Sequence, residues 1–233
     1  MIQTDSAARE TAHVNRGNVR DILGNAGGAL DDYAEALSLN PSNPYTFFNR
    51  AHVRRQLGDP KEAEEDSSRA IDLKPDFAEA YYDRALARSD LGRNGDALAD
   101  YDTAIRLKPD FAWAHHNRGN LLLKQGDMHG ALSAFNEAIR IDPGHSSFYN
   151  GRGAVHLGGG NLAAATGDFT RALELDRVNP EALLNRAEAL DRQGEKARAI
   201  KDLEALLGLP PKDPRMADHA EKMLARLKRE MNR

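Results

Sequence analysis

The sequence predicts an all-α protein: an α-solenoid of six helix–turn–helix units followed by one C-terminal helix. Three observations carry that prediction. Pro41, Pro75, Pro109, Pro143 and Pro211 fall on one grid with a period of 34 residues, and Arg177 holds the single vacant beat. A fixed period of this size marks a stack of like supersecondary units, each too small to bury its own apolar face. On the same grid glycine recurs at one place of every unit, from Gly24 to Gly194, and alanine at another, from Ala29 to Ala199.

With Pro41 set at place 32, residues 1–9 form an N-terminal flank and the units are 10–43, 44–77, 78–111, 112–145, 146–179 and 180–213. The first helix of each unit is expected to end at the place-15 glycine, which turns the chain into the second. Asp59, Asp127 and Asn161 directly follow that glycine and suit the N-cap of the second helix. Place 8 holds only Gly17, Ala51, Ala85, Gly119, Gly153 and Ala187, so the two helices touch there and at the place-20 alanines. In the second helix, places 24, 28 and 30 are usually large and apolar, as in Tyr101, Ile105 and Leu107, and the proline that follows stops it. Gly158, Gly159 and Gly160 remove side chains from the fifth unit and predict a local bend, since each glycine costs helix stability.

Residues 214–233 leave the grid. Met216, Ala220, Met223, Leu227 and Met231 lie on one helical stripe, which predicts a helix that caps the open end of the stack. This tail carries six basic residues against three acidic ones, a net +3, leaving −7 for the rest of a chain of net charge −4. A basic amphipathic helix could alternatively touch a membrane or mediate dimerisation.

The grid resembles the tetratricopeptide repeat, and the third unit, "YDRALARSDLGRNGDALADYDTAIRLKPD", carries nearly every hallmark of that family. The resemblance runs from residue 10 to residue 213 and implies a right-handed superhelix whose function lies on its concave face. Two columns depart from the pattern. The large aromatic of place 4 is kept by Phe47, Tyr81 and Tyr149 but is His13, His115 and Leu183 elsewhere. Place 11, usually aromatic, is Arg20, Arg54 and Arg88 in the first three units, which predicts looser packing there.

Two charged columns face each other. Place 7 is Arg16, Arg50, Arg84, Arg118, Arg152 and Arg186; place 23 is Asp32, Asp66, Asp100, Asp168 and Asp202, with Ala134 the exception. Arginine on the first helix and aspartate on the second predict a structural salt-bridge ladder rather than an anion-binding stripe. Arg118, whose unit lacks the acid, must find another partner or face a ligand.

The resemblance assigns the concave groove to places 2, 5, 6, 9, 12 and 13 of the first helices. On that assignment the groove is lined by Asn15, Asn18, Tyr45, Phe48, Asn49, His52, Glu79, Tyr82, Asp83, Trp113, His116, Asn117 and Asn120. Amides offer a donor and an acceptor together and can grip an extended peptide backbone without reading its side chains. The row resembles the asparagine-lined groove of the tetratricopeptide part of the glycosyltransferase that attaches N-acetylglucosamine to proteins. Exposed aromatics beside amides are what interface hot spots are made of. Chaperone-docking members of the family clamp a C-terminal carboxylate with lysine and arginine. Here the corresponding places hold Val14, Asn18, Asn49, Glu79 and Asp83, so an acidic chaperone tail is not the expected partner. Glu79, Asp83 and Asp90 favour a basic or neutral segment.

Composition sets exclusions. With no cysteine there is no disulfide, thiolate metal site or cysteine nucleophile. A pI near 6.1 argues against nucleic acid as the partner. No stretch reaches the length of a membrane span and residues 1–10 lack a signal-peptide pattern, so a soluble, cytoplasmic protein is expected, the periplasm remaining open. No phosphate-binding loop, nucleophile elbow or zinc-protease motif occurs, and the eight histidines are dispersed; no metal, cofactor or catalytic residue is expected. The functional expectation is a non-catalytic scaffold or adaptor that binds a peptide or partner helix. The alternative is an architectural module that forms a homo-oligomer through terminal or convex surfaces.

Overall fold

The computed structural model describes residues 2–210 and 213–232. Pro211, the last beat of the grid, lies outside the described residues. Every described element is a helix, and the chain forms two compact units, Met1–Ala114 and His115–Arg233.

The first unit holds α1 (Ile2–Ile22), α2 (Ala26–Leu39), α3 (Pro44–Gln56), α4 (Pro60–Leu73), α5 (Ala78–Asp90) and α6 (Asn94–Leu107). Each odd-numbered helix packs on the even one that follows, and α1, α3 and α5 also touch their neighbours in that series, so the first helices form one layer. α1 runs without a break through residues 2–9, because that segment contains helix formers and no glycine or proline.

The second unit holds α7 (Ala112–Lys124, whose first turn belongs to the other unit), α8 (Met128–Ile141), α9 (Ser146–Gly158), α10 (Leu162–Leu175), α11 (Pro180–Arg192), α12 (Lys196–Leu207) and α13 (Pro214–Met231). α13 lays Ala220, Met223 and Leu227 into the cluster formed by Leu190, Leu203 and Leu206, and thereby covers the last hairpin. Met231, at the end of the expected stripe, is exposed.

The turn between the two helices of a hairpin is the same six times. Gly24, Gly58, Gly92, Gly126, Gly160 and Gly194 all adopt positive φ between 75° and 86°, a left-handed conformation that a Cβ penalises. The next residue donates its N–H five residues back, as in Asn25 to Arg20 (2.8 Å) and Asp59 to Arg54 (2.9 Å), closing the orphan carbonyls of the first helix. Asp127 and Asn161 cap the second helices through their side chains, as does Asn25. Asp59 makes no such bond, and the helix it precedes opens instead on Pro60, whose missing N–H needs no partner. The glycine run does not shorten its helix: α9 has 13 residues, as do α3, α5 and α11, with Gly158 ending the helix and Gly159 capping it.

Small residues let the helices meet. Ala29, Ala63, Ala97, Ala131, Ala165 and Ala199 are all buried. At place 8 glycine always faces a ring, although the third unit fits Ala85 against Tyr101: a Cβ on Gly17 would stand 2.7 Å from Tyr33, and one on Gly153 would stand 2.6 Å from Phe169. Where place 24 is Ser67 or Leu203, the facing residue is Ala51 or Ala187.

Buried aspartates tie five of the six hairpins together. Arg50 donates from Nε (2.8 Å) and Nη2 (2.7 Å) to the two oxygens of Asp66, and Arg16, Arg84, Arg152 and Arg186 repeat this fork on Asp32, Asp100, Asp168 and Asp202. The Arg16 guanidinium holds the Asp32 carboxyl below the usual carboxylate range. The place-11 arginines are not the packing defect their departure from an aromatic suggests. Arg20, Arg54 and Arg88 each place Nη1 2.7–2.8 Å from the same aspartate, so every early acid is held from two directions. The fourth unit solves the same position without charge: Ala134 and Leu122 are both buried there. Arg118, half-buried beside them, is not left without a partner.

Candidate functional site

In the first unit, the layer formed by α1, α3 and α5 gathers the residues the repeat grid assigns to a binding face. Asn18 on α1 and Asn49 on α3 meet directly: Asn49 Nδ2 donates to Asn18 Oδ1 at 2.9 Å, and the Tyr33 hydroxyl donates to the same oxygen at 2.8 Å. The acceptor of Asn18 is therefore used inside the protein, and what the pair still offers is the Asn18 amide N–H and the Asn49 carbonyl. Both border a pocket of about 260 Å³ with Asp21, Ile22, Tyr33, Phe48 and His52. Asn15 stands exposed one turn earlier on α1.

The aromatic residues of this face are braced from behind. Phe48 and Tyr45 both lean on Phe77, with ring centroids 5.0 and 5.2 Å apart, and the Tyr45 hydroxyl accepts from Lys74 Nζ at 2.9 Å. Tyr45 still leaves half its surface in water, at 52% exposure. Tyr82 packs 4.8 Å from Phe111 and 6.0 Å from Tyr101 and stays half-buried. Trp113, 38% exposed, closes this set.

The acids of the face are largely matched within the unit. Lys108 Nζ lies 2.8 Å from Glu79; burial is the largest influence and would raise the Glu79 pKa, but the Lys108 ammonium, a backbone N–H and Lys74 together bring the net shift downward. Arg55 stands 3.7 Å from Asp90. Asp83 is only 6% exposed and sits 3.6 Å from His52 Nδ1, so it props the face from within rather than lining it. The nearby Asp83 carboxylate raises the His52 pKa above its ordinary value.

His116, Asn117 and Asn120 belong to the second unit. His116, 7% exposed, is a core residue and not a groove residue: its ring lies 5.5 Å from Phe135 and 5.0 Å from Phe148, and Asn120 Nδ2 reaches its Nε2 at 3.0 Å. Desolvation lowers its pKa to about 4, so it is neutral at pH 7. Asn117 is half-buried and Asn120 exposed on the same helix. Farther along this unit, Asn185 Nδ2 donates to Asn150 Oδ1 at 3.1 Å, a second sideways amide pair. The sequence had indicated an amide row but not that its members bond to each other; the signal was the 31-residue spacing of Asn18 and Asn49, three short of a full period.

Among the described residues no three His, Asp or Glu side chains gather as metal ligands, and no helix is long and apolar enough to cross a membrane.

Family models for the tetratricopeptide repeat match residues 44–77, 112–145 and 150–214, and one for the TPR repeat matches 87–126. Comparison with curated proteins finds no match. Among solved structures, the MamA protein is 26% identical over 73% of this chain and 93% of its own, with a TM-score of 0.64. The pilF protein of Pseudomonas aeruginosa aligns over 94% of this chain and 99% of its own at 17% identity, with a TM-score of 0.81. YrrB, described as a TPR protein with an unusual peptide-binding site, is 19% identical over 82% of this chain and 97% of its own, with a TM-score of 0.63. The repeat grid, the six left-handed turn glycines and these matches agree: the chain belongs to the tetratricopeptide repeat family, whose fold is an all-α solenoid and whose members are protein-interaction scaffolds.

Proposed function

We propose that this protein is a non-catalytic adaptor that holds an extended peptide segment of a partner protein on the α1–α3–α5 face of its first unit. The observation that carries the reading is the Asn18–Asn49 pair at the edge of the Phe48 pocket. It leaves one amide donor and one carbonyl acceptor facing outward, the complement of a peptide unit, beside braced aromatic surface. YrrB, a protein of the same fold, is described as having a peptide-binding site, which makes the class of ligand reasonable for such a face. The lining adds Asp21 and, behind it, Asp83 against His52, and no arginine or lysine, so a neutral or basic segment suits it and an acidic tail does not.

The test is affinity capture from native lysate followed by binding measurements on the captured partner, with Asn49→Ala and Tyr82→Ala as controls. Loss of one amide contact costs about 1 kcal/mol, roughly five-fold in Kd, and loss of the aromatic anchor 1 kcal/mol or more. The double variant should therefore bind at least about ten-fold more weakly while remaining monomeric and folded. Unchanged affinity in the double variant sinks the reading. Concentration-dependent assembly by light scattering, abolished with residues 214–233, would favour a self-assembling module in its place.

A further inference from the structure

A second site lies in the second unit, independent of the face just described. The turn before α11, the end of α12 and the start of α13 enclose an apolar pocket of about 430 Å³, within the roughly 300–1,000 Å³ of ligand-sized cavities. Three of its lining residues break the repeat grid, and all in the same direction. Place 27 is alanine in five units and Leu206 in the sixth. Place 31 is Asn40, Lys74, Lys108, Asp142 and Asp176, then Pro210. Place 33 is Ser42, Asp76, Asp110 and Gly144, then Val178, which is 60% exposed. Scattered apolar exposure needs no explanation, but three polar-or-small to apolar changes converging on one pocket do. Leu207, Leu209 and Met216 complete the apolar wall, Asp213 and Glu221 stand at the mouth, and among the described residues no arginine or lysine lines it.

We infer that this pocket is a docking site for a partner peptide that inserts a large apolar side chain and carries a basic residue next to it. The apolar wall supplies the anchor cavity. Glu221, exposed at the mouth, supplies the sign of the neighbouring charge, whereas Asp213 caps α13 by accepting from the Arg215 N–H and faces the Arg215 guanidinium at 3.5 Å.

The experiment is methyl NMR of the full chain titrated with two acetylated, amidated tetrapeptides, leucine–phenylalanine–lysine–lysine and its counterpart ending in two glutamates. The basic peptide should shift the methyls of Val178, Leu207, Leu209 and Met216 saturably, and the acidic one should bind at least about five-fold more weakly. Glu221→Gln should weaken the basic peptide about 2- to 5-fold, as expected of one exposed charge pair. Val178→Asp restores the residue type of the second and third units at an exposed position; it should abolish the shifts with an unchanged melting temperature. The inference is overturned if the pocket methyls do not respond, if both peptides bind equally, or if Val178→Asp binds as the parent does. It is also overturned if the same methyls shift on concentrating the protein without peptide, which would seat a second copy there. None of these outcomes bears on the first-unit face, whose residues stay unperturbed in every arm.

Discussion

Asp66 is the position where the scaffold argument is most exposed to test. Its carboxylate is buried and accepts three charged N–H groups, two from Arg50 and one from Arg54, at 2.7–2.8 Å. Asp66→Ala strands both guanidiniums. Breaking a buried ion pair from one side costs about 3–5 kcal/mol. The Arg50 and Arg54 side chains keep 18% and 26% of their surface in water and can partly rehydrate, so the lower end, about 3 kcal/mol, is the expected loss. For a chain of this length that corresponds to a fall of roughly 6–12 °C in Tm. Arg50→Ala leaves Arg54 on the acid and should cost less. The fourth unit supplies the rescue, since it pairs Ala134 with Leu122 at these places and retains its arginine at place 7. Asp66→Ala combined with Arg54→Leu should therefore recover at least half of the loss, measured by thermal and urea denaturation followed by circular dichroism. If Asp66→Ala melted within 1–2 °C of the parent, or if Arg54→Leu deepened its defect, the ladder would not be a stabilising element.

His116 should make the protein acid-sensitive. Its folded pKa, about 4, lies below the unfolded value near 6.5, so the unfolded chain binds the proton first; stability present above pH 6.5 should be lost as pH falls toward 4, by about 3 kcal/mol, and His116→Phe should flatten that slope in denaturant titrations. Two glycines should respond oppositely to alanine. A Cβ on Gly151 would stand 2.4 Å from Phe135, so Gly151→Ala should cost about 1–3 kcal/mol, whereas Gly167 meets nothing within 4 Å in α10 and Gly167→Ala should stabilise by about 0.5–1 kcal/mol. Removal of residues 214–233 uncovers Leu190, Leu203 and Leu206 and should yield aggregation or a lower Tm; a soluble truncation of equal stability would refute the capping role of α13.

The repeat grid made most of the fold legible because its rules are backbone rules. A left-handed glycine ends a helix whatever surrounds it, and a first-helix arginine sixteen residues before a second-helix aspartate meets it in every hairpin that has both. The place-11 arginines were misleading for the opposite reason. A long side chain that departs from an aromatic consensus reads as a poor fit, but it can carry its charge past the gap to a distant acid; the constant spacing of twelve residues in Arg20–Asp32, Arg54–Asp66 and Arg88–Asp100 was the available sign. The candidate site was legible only in part. Helix phase assigns a residue to a face, yet the depth at which it ends depends on its neighbours. Phe135 and Phe148 enclose His116, and the packing around Asp83 takes it below the surface that Phe48 and Tyr45 still reach.

Departures from the grid fall into two kinds, and the difference bears on function. Interior departures arrive in compensating sets: Ala134 comes with Leu122, so an absent acid is matched by an absent second arginine, and Gly151 comes with Phe135, so an absent side chain is filled by a ring. Each set keeps its apolar residues buried, as stability alone requires: Ala134, Leu122 and Phe135 all lie in the core. Val178, Leu206 and Pro210 also depart together, but they enclose space instead of filling it, with Val178 left largely in water. Burying a valine contributes on the order of 1.5–3 kcal/mol, and the folded chain forgoes much of that here. A set of changes that forms a cavity and leaves part of its apolar surface in water gains its return when another molecule covers it. Burial also separates the aromatics of the first unit: Tyr33 and Tyr101 are spent on the interior, whereas Tyr45 and Trp113 retain exposed surface.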